Sequence, residues 1–129
     1  MKKLSIVLLT VLTVFTSCKK DDDNNNPGNT SRTIRYEVTG NFTGTLNATY
    51  ITTSGGATSE DFTSLPWSKE ITYAAGVTSA SIQTGGFNGV AGQKLKLTIK
   101  RGGTQIGTPI EQTAGSTGTV AIAGQPIVF

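Results

Sequence analysis

The chain has 129 residues, with 11 Lys or Arg against 8 Asp or Glu, a formal net charge of +3 at neutral pH, and no His. That length allows one small domain beyond any targeting segment. The lack of His removes Ser-His-Asp and Cys-His nucleophilic schemes and the commonest metal ligand. The modest positive balance, with no aromatics interleaved among the lysines, gives no indication of nucleic acid as a partner.

The first segment is an address. Met1-Lys2-Lys3 is a basic start, and Leu4 to Phe15 then runs through Leu, Ile and Val with only Ser5, Thr10 and Thr13 polar. About a dozen residues match the core of a signal peptide and fall short of the roughly 20 that span a bilayer as a helix. The small pair Thr16-Ser17 precedes Cys18, so residues 1–17 read as a cleaved signal peptide. Cys18 is the only Cys, so no intramolecular disulfide can form even in an oxidising compartment. A lone thiol in an exported chain needs a role, and acylation supplies one.

The stretch from Phe15 to Cys18 resembles the lipobox of bacterial lipoproteins. That resemblance implies a thioether-linked diacylglycerol and palmitate-type acyl chains on Cys18, and a membrane anchor whose apolar chains give about 0.8 kcal/mol per buried CH₂. An ordinary secretory signal with a neighbouring Cys is the alternative. After Cys18, Lys19-Lys20-Asp21-Asp22-Asp23 resembles the export signal that directs Bacteroidota lipoproteins to the outer face of the outer membrane. The bland alternative is a solvated linker that happens to contain Lys and Asp. Residues 18–32 hold little to bury and are expected to form a disordered polar tether.

Residues 33–129 carry no apolar spacing of helical period. Short runs of β-formers bounded by Gly-rich turns recur instead. Thr33 to Thr39 places Ile34, Tyr36 and Val38 on one face, and Thr45 to Thr52 does the same with Leu46, Ala48 and Tyr50. Ser54-Gly55-Gly56 signals a tight hairpin. A weak strand from Thr58 to Thr63 carries Phe62, and Leu65 to Tyr73 follows with Trp67, Ile71 and Tyr73 in phase. Pro66 sits at the opening of that strand, where a missing N–H is tolerated. Ser79 to Thr84 is a further strand, and Gly85 to Gly92 is expected to be a mobile loop. Lys94 to Lys100 alternates best of all, burying Leu95, Leu97 and Ile99 and exposing Lys94, Lys96 and Lys100. Thr104 to Gln112, with Pro109 at a bend or edge, then Thr117 to Ile122 and Pro126 to Phe129 close the chain. The expected fold is all-β: a small antiparallel, immunoglobulin-like β-sandwich of seven to eight strands. Without a disulfide its stability rests on the core, with Trp67 expected to contribute most.

Three segments resemble the mycobacterial small membrane protein (MmpS) family. They are Arg35-Tyr36-Glu37-Val38-Thr39-Gly40, Leu65-Pro66-Trp67-Ser68-Lys69 and Leu97-Thr98-Ile99-Lys100-Arg101-Gly102-Gly103. The resemblance implies a small β-sandwich and a role as accessory to a resistance-nodulation-division exporter. That family is usually held by an N-terminal transmembrane helix, where this chain carries a lipobox and a tether.

Catalytic pairs are scarce. The domain's carboxylates are Glu37, Glu60, Asp61, Glu70 and Glu111. Glu60 and Asp61 point to opposite faces of a strand, and a Glu37–Glu70 glycosidase-like pair competes with plain solvated residues paired to Arg35 or Lys69. Gly85-Gly86 and Gly102-Gly103 read as hairpin punctuation, not as phosphate loops. The reading is a non-enzymatic, lipid-anchored envelope protein displaying a binding module, without cofactor or metal. Its partners would be the membrane through Cys18 and an envelope protein complex or a glycan. The candidate interaction surface comprises Trp67, Lys69, Lys94, Lys96, Lys100 and Phe87. Lysines on a strand more often serve as its wet face or as a guard on an edge. Phe42 and Phe87, in Gly-containing segments, are the candidates for stacking on a sugar, with Tyr50 and Phe62 behind them.

Overall fold

The computed structural model describes residues 29–129. The signal peptide, the lipidation candidate Cys18 and the export-signal residues Lys19, Lys20, Asp21, Asp22 and Asp23 lie outside the described residues. Among those described there are eleven strands and no helix: β1 (Thr33–Gly40), β2 (Thr45–Ile51), β3 (Ala57–Phe62), β4 (Trp67–Thr72), β5 (Ser79–Ala80), β6 (Ile82–Phe87), β7 (Lys94–Arg101), β8 (Thr104–Gln105), β9 (Ile110–Thr113), β10 (Val120–Ala123) and β11 (Ile127–Val128). One sheet runs β4-β1-β7-β8, with β9 also on β7; the second runs β10-β6-β2-β3; β11 and β5 form a small third. All pairings are antiparallel.

Alternation makes the sandwich. Ile34, Tyr36 and Val38 of β1, Leu46, Ala48 and Tyr50 of β2, and Leu95, Leu97 and Ile99 of β7 are all buried in one core shared by both large sheets. Their intervening residues are more exposed, as a period of two requires for a sheet wet on one side. The fold class expected from sequence is the one found, an antiparallel β-sandwich. Its strands number eleven, not seven to eight: all nine runs of β-formers read from the sequence carry a strand, and two of those runs break. Ser79 to Thr84 divides at Ser81, so that β5 pairs with β11 while β6 joins β2 and β10. Thr104 to Gln112 divides at Ile106–Pro109, where Gly107 takes a positive φ of 66° and Pro109 offers no N–H to a ladder.

The edges of the two sheets are aligned. β4 stands opposite β3 on one side, where Trp67 meets Phe62, and β9 lies against β10 on the other. β7 sits between β1 and the β8–β9 pair, so its lysines occupy a central strand and do not guard an edge.

Trp67 does not dominate the core. The largest fully buried side chains are Tyr36, Ile34, Leu46, Ile82, Leu95, Leu97 and Val38, while Trp67 is half-buried at the β3–β4 edge. A position on an edge strand decides this: one side of the indole has no neighbouring strand to cover it. Inside, the Tyr36 and Tyr73 hydroxyls lie 3.2 Å apart, and the Tyr73 hydroxyl donates to the Ile51 carbonyl at 2.9 Å. Burial pushes both phenols above their ordinary pKa of 10.0, so both stay neutral donors at physiological pH.

Residues Asn29 to Arg32, assigned to the tether by composition, are fastened to the domain. The Asn29 amide donates to the Arg101 carbonyl, and Arg101 Nε donates to the Ser31 carbonyl at 2.7 Å. Arg32 donates to the carbonyls of Tyr73, Ala74 and Val77. Side-chain donors of this kind are invisible to an argument from apolar content.

Candidate functional site

The six residues expected to form an interaction surface fall in three separate places. Trp67 and Lys69 lie together at the β3–β4 edge. There Glu60 of β3 accepts from Trp67 Nε1 at 3.1 Å, from the Tyr50 hydroxyl at 3.0 Å and from Lys69 Nζ at 3.4 Å. Phe62 stacks on Trp67 with ring centroids 4.7 Å apart and planes 13° from parallel. The Tyr50 hydroxyl and the Glu60 carboxylate beside it raise the Lys69 ammonium above its usual pKa of 10.5 and keep it charged. Glu60 thus bridges the two sheets with three donors on two oxygens. This cluster is a latch, and its polar groups are turned toward one another.

Lys94, Lys96 and Lys100 stand on the outer face of the first sheet, as their alternation requires. They do not make a free cationic stripe. Lys94 Nζ pairs with Glu111 at 3.0 Å, and Lys100 Nζ pairs with Glu37 at 3.1 Å. Lys96 lies in register with Glu111 across β7 and β9. Arg35 Nε adds a second contact to Glu37 at 2.9 Å. Cross-strand pairs of opposite sign stabilise such a face and cancel its field.

Glu37 bears on catalysis. The hydrogen bond from Lys100, then that from Arg35, holds its carboxyl below the ordinary 4.5. A general acid needs the opposite shift. Glu70 lies in register with Arg35 on the same wet face. Glu60 faces the latch, and Asp61 takes the outer side and accepts from the Asn47 amide at 2.8 Å. The two neighbours point apart as expected.

Phe87 occupies the outer face of the second sheet, at 48% exposure. It is the last residue of β6, so the loop expected from Gly85 begins only at Asn88, because Gly85 and Gly86 pair with β2 and β10 as strand residues. Phe42, its companion in the sequence argument, is buried at 4%. Its ring fills the space where Gly86 and Gly89 have no side chain: a Cβ there would meet the ring at 2.5 and 2.3 Å. Tyr50 is buried, and Phe62 is taken up by the latch.

Beside Phe87 lies a trough that the sequence did not single out. Asn47 and Thr49 of β2, Gln83 and Gly85 of β6, and Ala121 and Ala123 of β10 line a shallow depression of about 470 Å³. Gly85 and the two alanines make its floor low. Its polar rim is partly fixed, since Thr49 Oγ1 lies 2.6 Å from Ser59 Oγ and Asn47 is held by Asp61. Asp61 is the one charged residue on this outer face. Residues at alternate positions of β2 and β6 could have been assigned to one wet face from sequence, but their meeting with β10 depends on strand order.

A second recess lies at the β9–β10 side, lined by Leu97, Ile99, Ile106, Ile110, Pro126 and Ile127 and enclosing about 270 Å³. It is apolar where the trough is polar. No protein-family model matches the chain, and neither a curated protein nor a solved structure matches it.

Proposed function

We propose that this chain is a non-enzymatic, lipid-anchored envelope protein that displays its β-sandwich as a binding module at the outer membrane, exposed at the cell surface. The observation that carries the binding role is the outer face of the β10-β6-β2-β3 sheet. It combines a low-floored polar trough with an uncovered aromatic, where the other outer face is occupied by its own ion pairs. The anchoring half of the proposal rests on Cys18 and the Lys19–Asp23 signal. Fractionation of cells expressing the intact chain or Cys18→Ala, with protease added to intact cells, tests it. The intact chain is expected in the membrane fraction and cleaved from outside. A membrane-bound Cys18→Ala, or a protected domain, would defeat the anchor or the surface placement respectively.

The chemistry of the trough favours a neutral glycan as the bound partner. Amides and hydroxyls at Asn47, Gln83 and Thr49 suit sugar hydroxyls, and Phe87 offers a ring face to apolar sugar C–H groups. Phe87→Ala is expected to abolish retention on a polysaccharide column while leaving the thermal midpoint unchanged. Equal retention of both proteins would end the glycan reading. The exporter-accessory role implied by the MmpS resemblance has less to work with. Trp67 and Lys69 of its most specific segment are engaged in the domain's own latch.

A further inference from the structure

The trough beside Phe87 is one half of a longer depression. A second hollow, of about 550 Å³, adjoins it on the same outer face and shares Thr49, Gln83 and Ala123 with it. Beyond those three it is bounded by Ile51, Ala57 and Ser81. Register explains the continuity. Ala121, Gly85 and Asn47 form one row across β10, β6 and β2, and Ala123, Gln83 and Thr49 form the next. Residues two apart on a strand share a face, so the rows follow one another along β6.

The depression runs the whole length of β6, from Ser81 just before the strand to Phe87 at its end. Extended chain covers about 20 Å over that stretch, far more than one sugar ring. The floor is low for a reason of packing: a Cβ on Gly85 would meet the Val120 carbonyl oxygen at 2.8 Å, so the close approach of β10 keeps that place bare. The face holds one charge, Asp61, which stands at its margin and already accepts from Asn47. Gln83 lies where the two halves join, is exposed, and makes no side-chain hydrogen bond among the described residues. Its amide can both donate and accept.

A blind pocket selects the end of a glycan. A groove that runs from one rim of the sheet to the other, longer than one ring and without a charge along its floor, suits the middle of a chain. We propose that this face binds an internal run of a linear, uncharged polysaccharide laid along β6, with one ring on Phe87 and Gln83 hydrogen-bonding the sugar where the two halves meet. This rests on the glycan reading of the trough and adds the form of the ligand: unbranched, extended and held between its ends.

The test is calorimetric titration of the intact chain in phosphatidylcholine nanodiscs with cello-, manno-, xylo- and malto-oligosaccharides, from the disaccharide to the octasaccharide. In a series that binds, affinity is expected to rise on the order of tenfold between the disaccharide and the hexasaccharide. It should then level off, because longer chains run out over the rims. Reducing the terminal ring of the hexasaccharide to its alditol should change nothing. Ala123→Arg, which sets a long side chain between the two halves, should bring the hexasaccharide down to the affinity of the disaccharide. Gln83→Ala should weaken the hexasaccharide several-fold, with the thermal midpoint of both variants unchanged. Equal affinity for disaccharide and hexasaccharide, loss of binding on reduction of the end ring, or a hexasaccharide indifferent to Ala123→Arg would overturn this proposal and leave a glycan site of another kind. Binding by none of the series would end the glycan reading and this inference together.

Discussion

The two open sides of this sandwich are closed by opposite means. At the β3–β4 side the gap between sheets is spanned by Glu60, with Trp67, Tyr50 and Lys69 donating to it and Phe62 stacked outside. At the β9–β10 side the chain bends away at Gly107 and Pro109, and the gap remains as a recess lined by aliphatic side chains. A sandwich edge exposes the ends of its core, and a polar latch or an apolar opening are alternative ways to treat it. The first adds stability and consumes its functional groups. The second forgoes contacts and leaves aliphatic surface uncovered.

The largest expected effect comes from breaking the latched side. Trp67→Ala removes the indole from Phe62, Tyr50 and Glu60 together and should cost about 3 kcal/mol, the low end for a large aromatic truncated to Ala because one side of the ring already meets solvent. Ile106→Ala, on the recess, should cost about 1 kcal/mol or less, since its neighbours on one side are already missing. Urea unfolding followed by far-ultraviolet circular dichroism measures both without relying on the lost tryptophan. Similar losses for the two variants would mean that the two sides are not different in kind.

A smaller effect isolates the polar centre of the latch. Glu60→Ala keeps the Phe62–Trp67 stack but strands three donors, and loss of a partly buried acceptor costs about 1 to 2 kcal/mol. Trp67 fluorescence should shift to the red as its N–H turns to water. An unchanged emission maximum together with an unchanged urea midpoint would show that the carboxylate is a bystander and that stacking alone holds this edge.

Which parts of this arrangement could be seen in the sequence follows from how far apart the contributing residues are. Period-two alternation is local, so the inward faces of β1, β2 and β7 were readable residue by residue, and with them the sandwich. The phase of Trp67 was readable too. Its half-burial was not, because only the order β4-β1-β7 puts it on an edge. Phe42 resembled an exposed loop aromatic until Gly86 and Gly89, far along the chain, proved to be its seat. The three lysines of β7 alternated as expected, but the carboxylates that pair with Lys94 and Lys100 come from β9 and β1 through register. The recess had one local sign, the bend expected at Pro109. Its remaining walls come from β7 and from residues 125–127, which no nearby pattern connects.

The smallest prediction concerns the face that separates the two sides, where Glu37 lies between Arg35 and Lys100. Side-chain exposures of 24% for Glu37, 44% for Arg35 and 33% for Lys100 leave all three in reach of water, so the pair energies are screened to about 1 kcal/mol or less in total. The sign is nevertheless fixed. The folded carboxyl titrates below 4.5 while the unfolded one keeps its ordinary value. Its contribution is therefore complete above pH 4.5 and disappears as the pH falls through the lower, folded value. Glu37→Gln should then be slightly less stable than the intact chain at neutral pH and equal to it in stronger acid, with the neutral-pH gap shrinking as salt is added. A gap that persists in acid would assign the loss to packing or hydrogen bonding of the side chain. A gap absent at every pH would mean that the lysine face owes its stability to the ladder beneath it, with ion pairs serving only to cancel its charge.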